Sequence, residues 1–237
     1  MDNAGYTTLT RQSGLMREMN VIANNIANAA TTGFRQEGLI FSEFVQTMGD
    51  GTSLSMARAG IQNTSMLQGA LTETGGQLDF AIEGDGFFTV ETPAGTRLTR
   101  AGNFAISAQG DLVTSDGFRV LDQGGAPVFI PPDAQDLGIS SDGILSANGR
   151  PLSQIGVVQP EDPNDLTRED GVRFRTEGEL LPVEGARVMQ GFLEGANVDP
   201  VGQIARMIEV QRAYEMGQRF LDKENERIRS AIDTLTR

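Results

Sequence analysis

Apolar positions repeat with helical period at both ends of the chain and give way to short alternating segments between them. At the amino end Leu9, Met16, Ala23 and Ala30 fall seven apart, and Gln12, Met19 and Ile26 follow the first three of them by three residues. That spacing predicts an α-helix from about Ala4 to Ala30, with a heptad seam whose one polar member is Gln12. At the carboxyl end Met207, Tyr214, Leu221, Ile228 and Leu235 repeat at seven, with Val210, Gly217, Glu224 and Ala231 as companions. Gly217 and Glu224 loosen this second seam, because they stand where a stable dimeric coiled coil takes Leu. Asp199-Pro200 supplies an N-cap and a first helical residue, so the last helix is expected to start there and run nearly to Arg237. Ile204, Ile208, Phe220 and Ile232 lie off the seam and give that helix apolar surface on more than one side. Two readings compete: a helix pair within one monomer, or helices whose apolar stripes are covered by another chain.

The first helix should end near Thr31-Thr32-Gly33, where Gly33 can take a left-handed conformation and Phe34 can pack back on the last turn. Phe41, Phe44, Val45 and Met48 have helical spacing, whereas Gly49 to Ser65 is polar and dotted with glycine. Residues 33–75 are therefore expected as a connector, partly extended. From Gly76 to about Gln190 short apolar runs alternate with turn dipeptides. Leu78–Ile82, Phe87–Val90, Phe104–Ile106, Leu112–Val113, Val128–Ile130 and Ile155–Val158 have the composition of strands. Ala94-Gly95, Gln109-Gly110, Asp116-Gly117, Gly124-Gly125, Asp142-Gly143 and Asn148-Gly149 have that of turns. Pro160 to Asp170, with five acidic residues and two prolines, is expected as an exposed loop. The fold class predicted is α+β: terminal helices pairing as a coiled-coil-like domain (residues 1–32 and 197–237), with an inserted antiparallel β-rich domain (residues 76–190).

Composition narrows the function. The chain has 237 residues, enough to bury a core, but only 38% are hydrophobic, none is Trp and 29 are Gly. Net charge is −13, and residues 75–190 hold 18 of the 32 acidic side chains against 8 of the 19 basic ones. The near-neutral ends can lie beside copies of themselves, and an acidic middle keeps a free subunit soluble. The same acidity argues against nucleic-acid binding. With no Cys and no His, disulfides, thiolate nucleophiles, His or Cys metal sites and the usual proton shuttle are excluded. No basic stretch leads into an apolar run in the first 30 residues and no run of 18 apolar residues occurs, so neither a cleaved secretory signal nor membrane insertion is expected.

Glu83, Asp85, Asp111, Asp116 and Asp142 could supply a carboxylate pair for glycoside hydrolysis or a calcium site. A glycosidase needs its carboxylates at a set separation in a cleft lined by aromatics, and the only tyrosines, Tyr6 and Tyr214, fall in the helices. Glu83-Gly84-Asp85-Gly86 lacks the alternating ligands and closing Glu of an EF-hand loop. Turn chemistry accounts for these residues better than catalysis, and no cofactor or metal is expected. Asn24, Asn25 and Asn28 are the least ordinary cluster of the first helix, since Asn is a poor helix former. They mark either a fraying helix end or amides bonded to a neighbouring subunit.

Three blocks of sequence together carry a resemblance. Val21-Ile22-Ala23-Asn24-Asn25-Ile26-Ala27-Asn28, followed by Thr32-Gly33-Phe34, resembles the amino-terminal signature of bacterial flagellar rod and hook proteins. Leu78 to Phe88, containing Gly84, Asp85, Gly86 and Phe87, resembles that family's central domain, as do Leu98 to Phe104, containing Thr99, Arg100, Gly102 and Phe104, and Gly110 to Gly117. Val188 to Tyr214, with Gly191, Leu193, Glu194 and Asn197, resembles its carboxyl-terminal block. Leu98 stands where an aromatic often precedes Thr-Arg, and Ala196 where Ser is common. Within the family, Met1-Asp2-Asn3-Ala4, Arg17-Glu18-Met19-Asn20 and the short length are most like the proximal rod members.

What the resemblance implies is a structural subunit rather than an enzyme, set in the periplasmic drive shaft and polymerising by helical packing of its termini. The implied partners are copies of itself, other rod subunits and the flagellar type III export apparatus, with export lacking a cleaved signal. Interface residues are then expected among Leu9, Met16, Met19, Ala23, Asn24, Asn25, Ile26 and Asn28 in the first helix. In the last helix they are Met207, Val210, Tyr214, Leu221 and Ile228. Another axial subunit, distal rod or hook, is the alternative within the family, and a secreted carbohydrate-binding protein the alternative outside it.

Overall fold

The structure, a computed structural model, describes residues 2–47, 53–183 and 185–235. The chain divides into two compact units, one of Met1–Ala27, Glu37–Asn63 and Asp199–Arg237, the other of Asn28–Gln36 and Thr64–Val198.

The first unit is built on two helices, α1 (Asp2–Ala27) and α2 (Pro200–Leu235). Asp199 caps α2 as its position before Pro200 suggests, its Oδ1 accepting from the Val201 amide at 3.1 Å. Gln12 Nε2 donates to the Tyr214 carbonyl at 2.8 Å, Arg206 Nη2 meets Glu18 Oε1 at 2.7 Å, and Asn25 Nδ2 donates to Gln203 Oε1 at 3.3 Å. Rising numbers on α1 meet falling numbers on α2, so the helices run antiparallel.

The face that α1 buries differs from the expected seam. Leu9, Met16 and Ala23 are exposed, while Gln12, Val21, Ile22 and Asn25 are buried. The branched pair Val21 and Ile22 has far more apolar area to hide than Ala23, and a heptad count that weights Ala equally places the stripe about one position too far along. On α2 the seam positions Met207, Val210, Tyr214, Gly217, Leu221 and Glu224 are buried or half-buried, whereas Ile228 and Ala231 are exposed. Gly217 has a specific cause: a Cβ there would lie 2.2 Å from Gln12 Nε2. The polar member of one seam occupies the space left by the glycine of the other.

Residues expected as connector form two long strands of the same unit, β1 (Glu37–Thr47) and β2 (Ser53–Thr64), paired in a two-stranded sheet. The helical spacing of Phe41, Phe44 and Val45 is thus misleading, since all three lie in β1; Met48 is outside the described residues. Three β-formers with a spacing of three and one fit either period, and pairing with β2 decides between them.

The second unit is antiparallel β throughout its described pairings. Its central strand, Phe87–Thr92, pairs with Gly95–Thr99 on one side and with Arg119–Val120 and Val157–Pro160 on the other. Alternation along it serves two cores. Phe88 and Val90 join Phe80, Ile82, Phe104, Leu112, Val120 and Ile155, while Phe87 joins Leu98, Leu166 and Phe174. Edge-to-face aromatic contacts fix both, Phe88 on Phe104 at 5.3 Å and Phe87 on Phe174 at 5.7 Å. Positive φ at Gly95, Gly110, Gly117, Gly125, Gly143, Asn148 and Gly149 accounts for the turn dipeptides. Val128–Ile130 contributes one isolated bridge, Phe129 with Asp111, in place of a strand. The acidic stretch from Pro160 is not wholly loop: Thr167–Asp170 pairs with Arg173–Arg175.

Candidate functional site

The most heavily built site in the molecule is a buried charge cluster in the β unit. Arg35, Arg100 and Glu194 are each about 1% exposed. Glu194 Oε2 accepts from Arg100 Nη1 at 3.2 Å, Oε1 lies 3.3 Å from Arg35 Nη2, and Oε1 also takes the Gly69 amide at 2.9 Å. Arg100 reaches the carbonyls of Ile82, at 3.1 Å, and Gly84. Arg35 reaches those of Met66, at 3.2 Å, and Leu67. Burial pushes the Arg100 guanidinium down to about 10, an effect that Glu194 opposes and neighbouring Arg35 reinforces. Arg35 is lowered by the same burial and held up by Glu194 and Asp85.

This cluster binds together segments remote in sequence. The Gly33 amide donates to the Glu194 carbonyl at 2.7 Å, and the Asn197 amide donates to the Phe34 carbonyl at 3.2 Å. Asn197 Oδ1 accepts the Gln36 amide while its Nδ2 donates to the carbonyl of Leu67 at 2.6 Å. Arg168 is sandwiched between the rings of Phe34 and Phe174, at 4.4 and 4.6 Å, and donates to the Arg35 carbonyl. The three passages of chain at 33–36, 65–69 and 194–197 are therefore fastened to one another inside the β unit.

The motif glycines serve the same place. Gly33 has φ +70°, and a Cβ on it would meet Ala101 N at 2.2 Å and Arg100 C at 2.4 Å. At Gly102 an added Cβ would lie 1.6 Å from the Phe80 carbonyl oxygen. Gly86 has φ +107°, and a Cβ on it would lie 2.7 Å from Val157 Cγ1, next to Phe87 in its core. Gly84 and Gly191 also take positive φ, Asp85 is exposed, Leu193 pairs with Thr72, and the Thr99 hydroxyl donates to the Val172 carbonyl at 3.1 Å.

In the helical unit the predicted interface residues divide. Asn25 is turned inward: its Nδ2 donates to the Glu37 carbonyl at 2.8 Å and its Oδ1 accepts the Glu37 amide at 3.0 Å. It satisfies the edge of β1, so the reading of Asn25 as an amide for a neighbouring subunit is corrected. Asn24 is exposed, and Asn28 Oδ1 accepts from the Thr31 hydroxyl at 3.2 Å. Val210 is buried, Met19, Ile26, Met207, Tyr214 and Leu221 are half-buried, and Leu9, Met16, Ala23 and Ile228 are exposed. Ile204, Ile208, Phe220 and Ile232 are between 41% and 53% exposed, so α2 does carry apolar surface that α1 leaves open. Arg35 and Arg168 escaped sequence reasoning, because a buried cation leaves no mark in an apolar period. No group of acidic side chains among the described residues converges as a metal site.

Comparison with known proteins accords with this arrangement from end to end. Residues 6–35 match the family described as Flagella basal body rod protein, residues 81–147 the Flagellar hook protein FlgE/F/G D1 domain, and residues 189–234 the Flagellar basal body rod FlgEFG protein C-terminal. The chain is 39% identical to the flagellar basal-body rod protein FlgF of Caulobacter vibrioides, over 99% of this chain and 98% of that one. It is 36% identical to FlgF of Mesorhizobium japonicum over the same shares, and 31% identical to FlgG of Bacillus subtilis over 96% and 97%. The chain belongs to the flagellar basal-body rod family. It is a FlgF-like structural subunit of the rod and not an enzyme. The matched segments cover most of both helices, most of the strands around the central aromatic core and all three members of the charge cluster, Arg35, Arg100 and Glu194. Among the described residues no helix is long and apolar enough to cross a membrane.

Proposed function

We propose that this rod protein polymerises through its terminal helices at the proximal position in the periplasmic drive shaft. The apolar side chains that α2 leaves exposed beyond its contact with α1 carry this reading, because a helix surrounded by neighbouring subunits needs such a surface. The helices pair as a short coiled-coil-like unit and form the inner tube, while the acidic β unit faces outward. Torque then passes through many packed helical contacts rather than one site. The chain reaches the rod through the flagellar export apparatus, without a cleaved signal. Identity over nearly the full length of two FlgF chains supports the proximal assignment. The 31% identity to a FlgG over 96% of this chain favours a distal position as the second reading.

Mass spectrometry of washed hook-basal bodies, looking for peptides from Leu78 to Arg100, tests the assembly. Recovery of those peptides at a few copies per rod is expected. Their absence, with the protein found soluble elsewhere, would overturn the rod reading. Partial rods isolated from a strain lacking the distal rod subunit separate the two positions: a proximal subunit is retained in them and a distal one is lost.

A further inference from the structure

Two features of the helical unit complement each other. The first is a groove of about 340 Å³ between α1 and α2, lined by Arg11, Gln12, Leu15, Ala213, Met216 and Phe220 among others. Gln12 is 6% exposed, its Nε2 is engaged by the Tyr214 carbonyl, and its Oε1 is buried without a partner. An acceptor left unmet in that position is a defect unless a donor arrives from elsewhere. The second feature is the free end of α2. The antiparallel register set by Gln12 with Tyr214 and Glu18 with Arg206 brings the start of α1 level with about Glu224. The remaining turns extend past it by about 16 Å at 1.5 Å per residue. Along this end Asn225, Ile228, Arg229 and Ile232 share one face, and Ile228 and Ile232 are 49% and 53% exposed.

We propose that the free end of α2 from a second copy of this chain docks in that groove. Ile228 and Ile232 then cover Leu15, Met216 and Phe220, and the Asn225 amide or Arg229 guanidinium supplies the donor that Gln12 Oε1 lacks. The contact continues the α1–α2 seam, and it rests on the reading of the chain as a rod subunit that assembles through its helices. The two surfaces are different patches of one molecule, so the contact is head-to-tail and propagates instead of closing. Bringing residues near 230 level with residues near 216 of the next copy requires parallel neighbours staggered by about 20 Å along the helix axis.

The chain has no Cys, so engineered pairs report unambiguously. The variant carrying Met216→Cys and Ile232→Cys is oxidised in intact basal bodies, with Val201→Cys and Ile232→Cys as the control pair. Positions 216 and 232 on one helix lie about 24 Å apart, too far to bridge within a chain. The expected result is a disulfide-linked homodimer at least tenfold more abundant for the 216/232 pair, and reduced severalfold by Gln12→Met, which keeps the side-chain volume but removes the acceptor together with the donor to the Tyr214 carbonyl. Equal yields, a preference for the control pair, or indifference to Gln12→Met would overturn the contact while leaving the rod reading intact. Absence of the protein from basal bodies would overturn both.

Discussion

Glu194 supplies the direct counter-charge of the buried cluster, with Asp85 acting on the same two guanidiniums from farther away. Two guanidiniums lie with it in the interior, and it is the sole carboxylate within ion-pair distance of both among the described residues. Removing its charge leaves two buried cations without an ion-pair partner, which costs about 3–5 kcal/mol for a broken buried pair. Glu194→Gln is therefore expected to lower the urea midpoint sharply. Arg100→Met should be milder, because Arg35 and Glu194 remain as a neutral pair and only the carbonyls of Ile82 and Gly84 lose a donor. Equal midpoints for Glu194→Gln and Arg100→Met would show that charge balance is not what the cluster supplies. The sign of the pH dependence follows from the lowered Arg100. Its burial is a cost at neutral pH that is relieved only above about pH 10, where the folded chain gives up the proton before the unfolded chain does.

At the scale of elements, the ends of the chain were the most legible part of it. Asp199-Pro200 announces the start of α2 because capping chemistry is local, and the turn dipeptides announce themselves because positive φ is local too. The register of α1 was hidden, since which face is buried depends on a partner: Ile22 and Asn25 turn inward, and Asn25 does so because the edge of β1 offers it Glu37. The spacing of Phe41, Phe44 and Val45 in β1 fits a helix as well as a strand, because a strand's identity here rests on pairing with β2. The motif residues were legible through resemblance, but the reason for Gly33 and Gly102, the near contact of distant backbone, appears only once the chain is folded. Seam residues that remain half-buried are the place to test the helices. Ile26→Asp and Leu221→Asp are expected to abolish rod assembly and motility, while the β unit keeps its stability to within about 0.5 kcal/mol. Asp165→Ala, on an exposed turn, should be silent in both assays. Normal swimming by either helix variant would count against the seams.

Across the whole molecule buried contacts are unevenly shared, and that unevenness suits the proposed export of the subunit before it assembles. The β unit has two closed aromatic cores and a buried charge cluster that fastens residues 33–36 to residues 194–197. The helical unit buries one face of each helix, and α2 leaves Val201, Ile204, Ile208, Met216 and Phe220 open to solvent. A helix with one covered side gains little beyond its own marginal propensity, so much of its ordering must await neighbours. The free chain is thus expected to hold its β unit folded, with the chain leaving α1 and the chain entering α2 fastened to each other through Phe34 and Asn197, while the helices themselves open frequently. Hydrogen exchange on the purified monomer checks this directly. Amides of Phe80–Glu83 and Phe87–Thr92 should exchange slowly, and those of Val21–Ala27 and Arg206–Ile228 should exchange orders of magnitude faster, becoming protected only in assembled rods. Slow exchange of both helical segments in the monomer would mean that the α1–α2 pair is stable alone, and that the apolar face of α2 serves binding without any coupling to folding.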